Sequence, residues 1–165
     1  MTLPTKVIYI ACFAIFAFSC SPDIMEDDMN TALSEEVIIP EAKLIEIEIL
    51  DLINEYRISK GLTSLRTMEI VKYQAYSHTD YMIEQNNISH DYFHSRKAYL
   101  EAQAGAIAVQ ENVAYGYSYA ESVVNAWINS DSHRATLEGD FTDFDISAEQ
   151  NDEGVWFYTN IFVRK

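Results

Sequence analysis

Cysteine is nearly absent: two occur in 165 residues, at positions 12 and 20. If Cys12 leaves with an export signal and Cys20 is acylated, no thiol remains, so no disulfide can staple the fold and it must rest on its core. The usual catalytic signatures are missing as well. No HExxH, CxxC or GxSxG occurs, which removes the ready-made metalloprotease, dithiol and serine hydrolase readings. Basic residues are scarce, with 11 Lys and Arg against 26 Asp and Glu and a net charge of −15. Such a surface is a poor partner for nucleic acid or anionic headgroups, and no nucleic-acid partner is expected. No internal repeat is visible.

What is present begins at the N-terminus. Lys6 precedes VIYIACFAIFAF (Val7 to Phe18), then Ser19 and Cys20. A membrane-crossing helix needs about 20 apolar residues, so this shorter run behind a positive charge reads as a secretory signal. FAFSC resembles a bacterial lipoprotein cleavage box, although Ala17 and Phe18 stand where Leu and a small residue are more usual. The expectation is a lipoprotein-type signal over 1–20 with Cys20 lipidated, which places the protein at the cell envelope or surface; plain secretion and a retained anchor are the alternatives. Residues 21–40 hold six acids and no Lys or Arg, as suits a solvated acidic tether. Residues 41–165 suffice for one domain.

Within that domain, apolar residues at 45, 49, 52, 53 and 56 predict a helix over Glu41 to Lys60, ended by Gly61. Leu62 to Arg66 reads as a loop and Thr67 as the cap of a second helix from Met68 to about Asn86. There His78 shares a stripe with Val71, Ala75 and Met82 and reads as a packed core histidine. A short helix is predicted over 93–103 and another over Tyr119 to Ser130, followed by a turn capped by Ser130, Asp131 or Ser132. The alternating run 106–117 reads as a strand. FDISAEQ and VWFYTNIFVRK form a hairpin through NDEG. The last arm is apolar on both faces, as a strand between two helical layers would be.

One strand position is chemically odd. Glu111 falls on the bulky face with Ile107, Val109 and Val113, and a carboxylate away from water needs a cation, several hydrogen bonds or a proton. Two polar links, SHDYFHSR at 89–96 and SHR at 132–134, supply histidines. Two imidazoles and a carboxylate are the parts of zinc sites and of acid–base pairs. If the cluster serves a ligand, Glu111→Gln should leave the fold intact and abolish binding. His94 matches no motif and reads as a surface residue. Tyr115, Tyr117 and Tyr119 suit either a groove or rim packing. A Ser130 or Ser132 nucleophile beside His133 is disfavoured, because neighbours on a cap rarely align.

The series LIEIEILDLINEYRISKGLTSL, AYSHTDYM, ISHDYFHSR, ENVAYGY, VVNAWINSDSHR and YTNIF, in that order over residues 44–162, resembles the bacterial branch of the CAP superfamily of cysteine-rich secretory, antigen 5 and pathogenesis-related 1 proteins. The resemblance implies an α/β/α sandwich with a small, mainly antiparallel central sheet flanked by helices, and a cleft lined by two histidines and one or two glutamates. By motif, His90 and His133 match the cleft histidines and Glu111 the strand glutamate, while Ser130 stands where the family's second glutamate usually lies. Arg96 is placed to pair with an acid at the cleft and Asn112 to tie nearby backbone. Gln110 and Asp145-Ile146-Ser147 depart from the family's Gly-containing pattern.

The function that the resemblance implies is that of an exported, lipid-anchored binding module whose cleft takes a small molecule, lipid, glycan or protein. No cofactor is required, and His90 with His133 would be the ligands of any divalent metal such as zinc. The alternative is a metal-assisted hydrolase acting on peptide or cell-wall material.

Overall fold

The computed structural model describes residues 40–165; the expected signal, Cys20 and all but the last residue of the expected tether lie outside the described residues. The elements run α1 (Leu44–Ser59), β1 (Arg66–Thr67), α2 (Glu69–Glu84), α3 (Phe93–Ala104), β2 (Ala108–Tyr115), α4 (Ala120–Asn129), α5 (Asp131–Leu137), β3 (Asp143–Gln150) and β4 (Trp156–Arg164). The sheet order is β1-β3-β4-β2, antiparallel except for the short β1–β3 pair. The expected sandwich with a mainly antiparallel sheet is therefore what the chain forms.

The two-sided apolar strand explains the layering. On β4, Tyr158 and Phe162 pack with Ile49, Ile53, Val123, Trp127 and Leu137 of α1, α4 and α5. Ile161 and Val163 pack with Val71, Ala75 and Leu100 of α2 and α3, and Phe157 packs with Met82 and Val113. Alternation with a period of two sends each set to its own helical layer.

Three local readings need correction. The loop 62–66 runs into β1, whose two residues pair with Asp143 and Phe144; two residues are too few to display any period. Thr67 does not cap α2. Met68 takes the N-cap position without a side-chain cap bond, and its N–H is instead accepted by Asp145 Oδ2 at 3.1 Å. The buried face of α1 includes Glu46 and Arg57, two charges that the apolar spacing does not assign to the core.

Those charges have structural partners. Because β1 covers only the start of β3, the outer edge of β3 beyond Phe144 has backbone groups to satisfy. Glu46 Oε1 accepts the Ala148 N–H at 2.7 Å, Lys72 Nζ donates to the Ile146 carbonyl at 2.8 Å, and Asp145 Oδ1 accepts the Ile146 N–H at 2.9 Å. Lys72 also meets Glu46 Oε2 at 2.6 Å. Side chains thus finish the sheet edge where a strand would otherwise add. Arg57 plays a similar part at the far end of α1, donating to the carbonyls of Thr63, Leu137 and Gly139.

Candidate functional site

Glu111 lies at the middle of β2 between buried Val109 and Val113, with a side chain only 1% exposed. Its cation comes from α3. Arg96 forks onto it, Nε to Oε2 at 2.9 Å and Nη2 to Oε1 at 2.8 Å, a bidentate geometry that a lysine cannot copy. Arg96 Nη1 also donates to the Asp91 carbonyl at 2.7 Å. Burial lowers the Arg96 proton affinity and the Glu111 charge opposes that shift.

His90 joins from the turn before α3, its Nδ1 2.8 Å from Glu111 Oε1. A carboxylate only accepts, so Nδ1 carries the proton and Nε2 of a neutral His90 presents its lone pair elsewhere. That turn is strained: Tyr92 sits at φ 58, in the left-handed region. It is braced by the edge-on contact of Tyr92 with Tyr81 at 5.3 Å and by the Tyr81 hydroxyl donating to Asp91 Oδ2 at 3.1 Å.

A fourth member is one that the sequence places in the core and not in the site. His78 of α2 is buried as expected, with Nε2 2.9 Å from the Ser89 carbonyl, and the same nitrogen lies 3.7 Å from Glu111 Oε1. Burial pulls its proton affinity down more strongly than the Glu111 charge raises it. A signal for it exists, since the apolar stripe of α2 that contains His78 packs on the sheet face to which Glu111 points.

The second wall is built at the α4–α5 junction. Of the three residues expected to cap the turn, Ser130 takes the N-cap position of α5 in an extended conformation but makes no side-chain cap bond; its Oγ lies instead 2.8 Å from His133 Nδ1. Asn112 of β2 donates Nδ2 to the His133 carbonyl at 3.1 Å and so ties α5 to the sheet. Burial, and secondarily the His90 charge, lowers the His133 pKa.

A cavity of about 320 Å³ opens here, lined by His133, Ser130, Trp127, Tyr117, Tyr115 and Ile88 among others. His90, Glu111 and Arg96 are not in its lining. Tyr119 leads into α4 and borders a separate acidic cleft beside α1, and His94 is exposed. A larger cavity, about 830 Å³, lies at the opposite edge of the sheet near Lys72 and Asp145, away from the histidines. Size alone therefore does not identify the chemistry.

The chemistry open to the cluster is limited by Glu111. Both of its oxygens are engaged by Arg96 and one also by His90, so the carboxylate is held by a buried cation and turned away from the cavity lining. Two imidazole Nε2 atoms remain, each oriented through Nδ1, His90 by a carboxylate and His133 by a hydroxyl, in the manner by which histidine ligands are commonly held. Among the described residues no group of three or more His, Cys, Asp and Glu side chains is placed to hold a metal ion. A divalent ion here would have two protein nitrogens and would need solvent or ligand for the rest, which does not fit a resident structural zinc.

Residues 50–162 match the family model described as CAP, the cysteine-rich secretory protein family. The membrane protein YlbC of Bacillus subtilis (strain 168) is 33% identical over 129 residues, covering 73% of this chain and 34% of that protein, so the chain spans about a third of that relative's length. An extracellular protein with an SCP domain from Bacillus anthracis superposes with a TM-score of 0.64 at 28% identity, over 73% of this chain and 40% of that one. An outer surface protein from Borrelia burgdorferi superposes at 0.68 over 76% of this chain and 96% of that one; at 20% identity the likeness concerns the fold alone.

Proposed function

The chain belongs to the cysteine-rich secretory protein (CAP) family, and from that premise we propose that it is a binding module of the cell envelope or surface, holding its ligand in the cavity beside His133 without transforming it. The observation behind this reading is the Arg96–Glu111 fork: the one carboxylate among the cleft residues is held by a buried guanidinium, and no Asp or Glu lines the cavity beside His133 to serve a bound ligand as base. The cavity supplies recognition instead, through an indole, two phenol rings, a hydroxyl and an imidazole. A location outside the cytoplasm is supported by the signal-like residues 1–20, and the relatives described as membrane and extracellular proteins agree with it. Acylation of Cys20 would tether the domain to the membrane.

The experiment is co-sedimentation of the protein with isolated cell walls and with membranes, alongside mass spectrometry of released fragments. Ala126 lines the cavity, and Ala126→Trp should fill it and reduce sedimentation at least tenfold with the circular dichroism unchanged. Fragments that wild type releases and His133→Ala does not would instead make the protein a hydrolase.

The metal-assisted reading keeps one observation in its favour, the Glu111-oriented His90. Calorimetric zinc titration separates the two readings. We expect no micromolar binding that depends on His90 and His133; a stoichiometric site lost in both His90→Ala and His133→Ala would favour the metal.

A further inference from the structure

The cavity beside His133 does not end there. A second, of about 210 Å³, is lined by Asn86, Asn87, Asn151, Glu153, Val155 and Phe157, and it shares Ile88 and Tyr115 with the first. The two form one groove running from the α4–α5 junction to the β3–β4 turn. Tyr115 stands at the join, 54% exposed, with its ring tilted against Phe157 at 5.8 Å. One side of the ring is thus held by the protein and much of the rest is open.

The far end is made of carboxamides. Asn86 and Asn87 are exposed in the turn after α2, and neither carboxamide is hydrogen-bonded to another described residue. Asn151 uses its Oδ1 to accept the N–H groups of Glu153 and Val155, which leaves its Nδ2 donors available. Among the described residues that line the groove, Glu153 is the only carboxylate and none is Lys or Arg. Neutral amides with an open aromatic face match vicinal hydroxyls and the C–H face of a sugar ring: an amide offers a donor and an acceptor side by side, and a phenol ring offers an apolar plane with a polar tip.

Other occupants fit less well. An anionic headgroup finds no Lys or Arg among the described residues of the groove, and an alkyl chain would lie against open amides. An extended peptide would add to the outer edge of β2, but there the Val113 carbonyl is already taken by Trp127 Nε1 at 3.2 Å, so strand addition is blocked where the cavity meets the sheet.

We propose that this groove binds an extended neutral glycan strand, with one sugar stacked on Tyr115, the next reaching the asparagines, and the other end entering the His133 cavity. This rests on the binding reading above and names its ligand class. The test is isothermal titration of the full chain in nanodiscs with chitohexaose and cellohexaose, against chitobiose, hexa-alanine and a lysophosphatidylcholine.

A hexasaccharide should bind saturably and at least tenfold more tightly than chitobiose, which fills only one pocket. Tyr115→Ala should lose at least tenfold and Tyr115→Phe little, since the ring face and not the hydroxyl is used. Asn87→Ala should weaken the hexamer but not the dimer. Saturation by the peptide or the lysolipid alone, abolished by Ala126→Trp, would overturn the glycan assignment while leaving cavity binding intact. Absence of all binding, together with no wall or membrane sedimentation, would remove both. Equal hexamer affinity in wild type and Tyr115→Ala also overturns the proposal.

Discussion

Arg96→Met should lower the unfolding free energy by about 3–5 kcal/mol, the usual consequence of leaving one member of a buried ion pair behind. Arg96 and Glu111 side chains are 8% and 1% exposed, so water cannot replace the guanidinium. Of the carboxylate's other neighbours, His78 stands 3.7 Å away and His90 is half exposed and makes a single bond to it. The Asp91 carbonyl would lose its donor too, loosening the strained turn that presents His90.

Arg96→Lys keeps a charge and loses the fork, so it should fall between. The double variant Arg96→Met/Glu111→Leu should recover much of the loss, because a buried pair exchanged for apolar side chains is often close to neutral. Urea denaturation of the four proteins measures this; an Arg96→Met loss below about 1 kcal/mol would show that the pair is solvated in practice. The geometry also revises the expectation for Glu111→Gln. That variant leaves Arg96 buried without its counter-charge, so a loss of stability should accompany any loss of binding.

Lys72→Met should be comparably costly, about 3–5 kcal/mol at pH 7, and unlike the first its cost should shrink in acid. Lys72 is the ammonium between two buried carboxylates, bonded to Glu46 and lowering the pKa of Asp145 by its charge, and it also satisfies the Ile146 carbonyl. Burial raises the Asp145 carboxyl to about 6, against the opposing pull of the Ile146 and Met68 N–H groups and Lys72.

Linkage sets the sign of the pH dependence. The folded value lies above the unfolded carboxylate value of about 3.9, so the native state binds the extra proton; this stabilisation is complete below about pH 4 and lost as pH rises through about 6. Wild type should gain about 1 kcal/mol from this group between pH 7 and pH 5, and Lys72→Met should gain more, since Asp145 without its cation protonates more readily. Urea curves at both pH values for wild type, Asp145→Asn, Lys72→Met and Lys72→Met/Asp145→Asn test this. Parallel pH responses in wild type and Asp145→Asn would exclude Asp145 as the titrating group. The uncovered edge of β3 should also make Lys72→Met prone to associate.

The layers were legible because they depend on periodicity. A strand with apolar residues at both parities has to lie between two helical layers, and β4 does so, while helices with one apolar stripe cover it. Glu111 stood out because a carboxylate broke that pattern. The buried charges of α1 and α2 did not stand out. Glu46, Arg57 and Lys72 occupy positions where charged residues of a solvated face look the same, and their burial depends on partners such as the Ala148 N–H and the Leu137 carbonyl, far along the chain.

Ser130 shows the same limit at short range. A serine at a helix start is a cap by residue type, and the choice between backbone N–H and the His133 ring rests on a side-chain direction that the fold sets. By itself, then, the order of residue types determined the fold class, the strand faces and the anomaly of Glu111, while the list His90, Arg96, Asn112, Ser130 and His133 is what the family resemblance implied. Only the tertiary structure decided that Arg96 engages Glu111, that His78 joins them, and that His133 faces a cavity whose lining excludes His90, Glu111 and Arg96. Hydrophobic burial follows the local period of the chain, whereas each buried charge is assigned by a partner distant in sequence, and distance in space is what sequence order does not record.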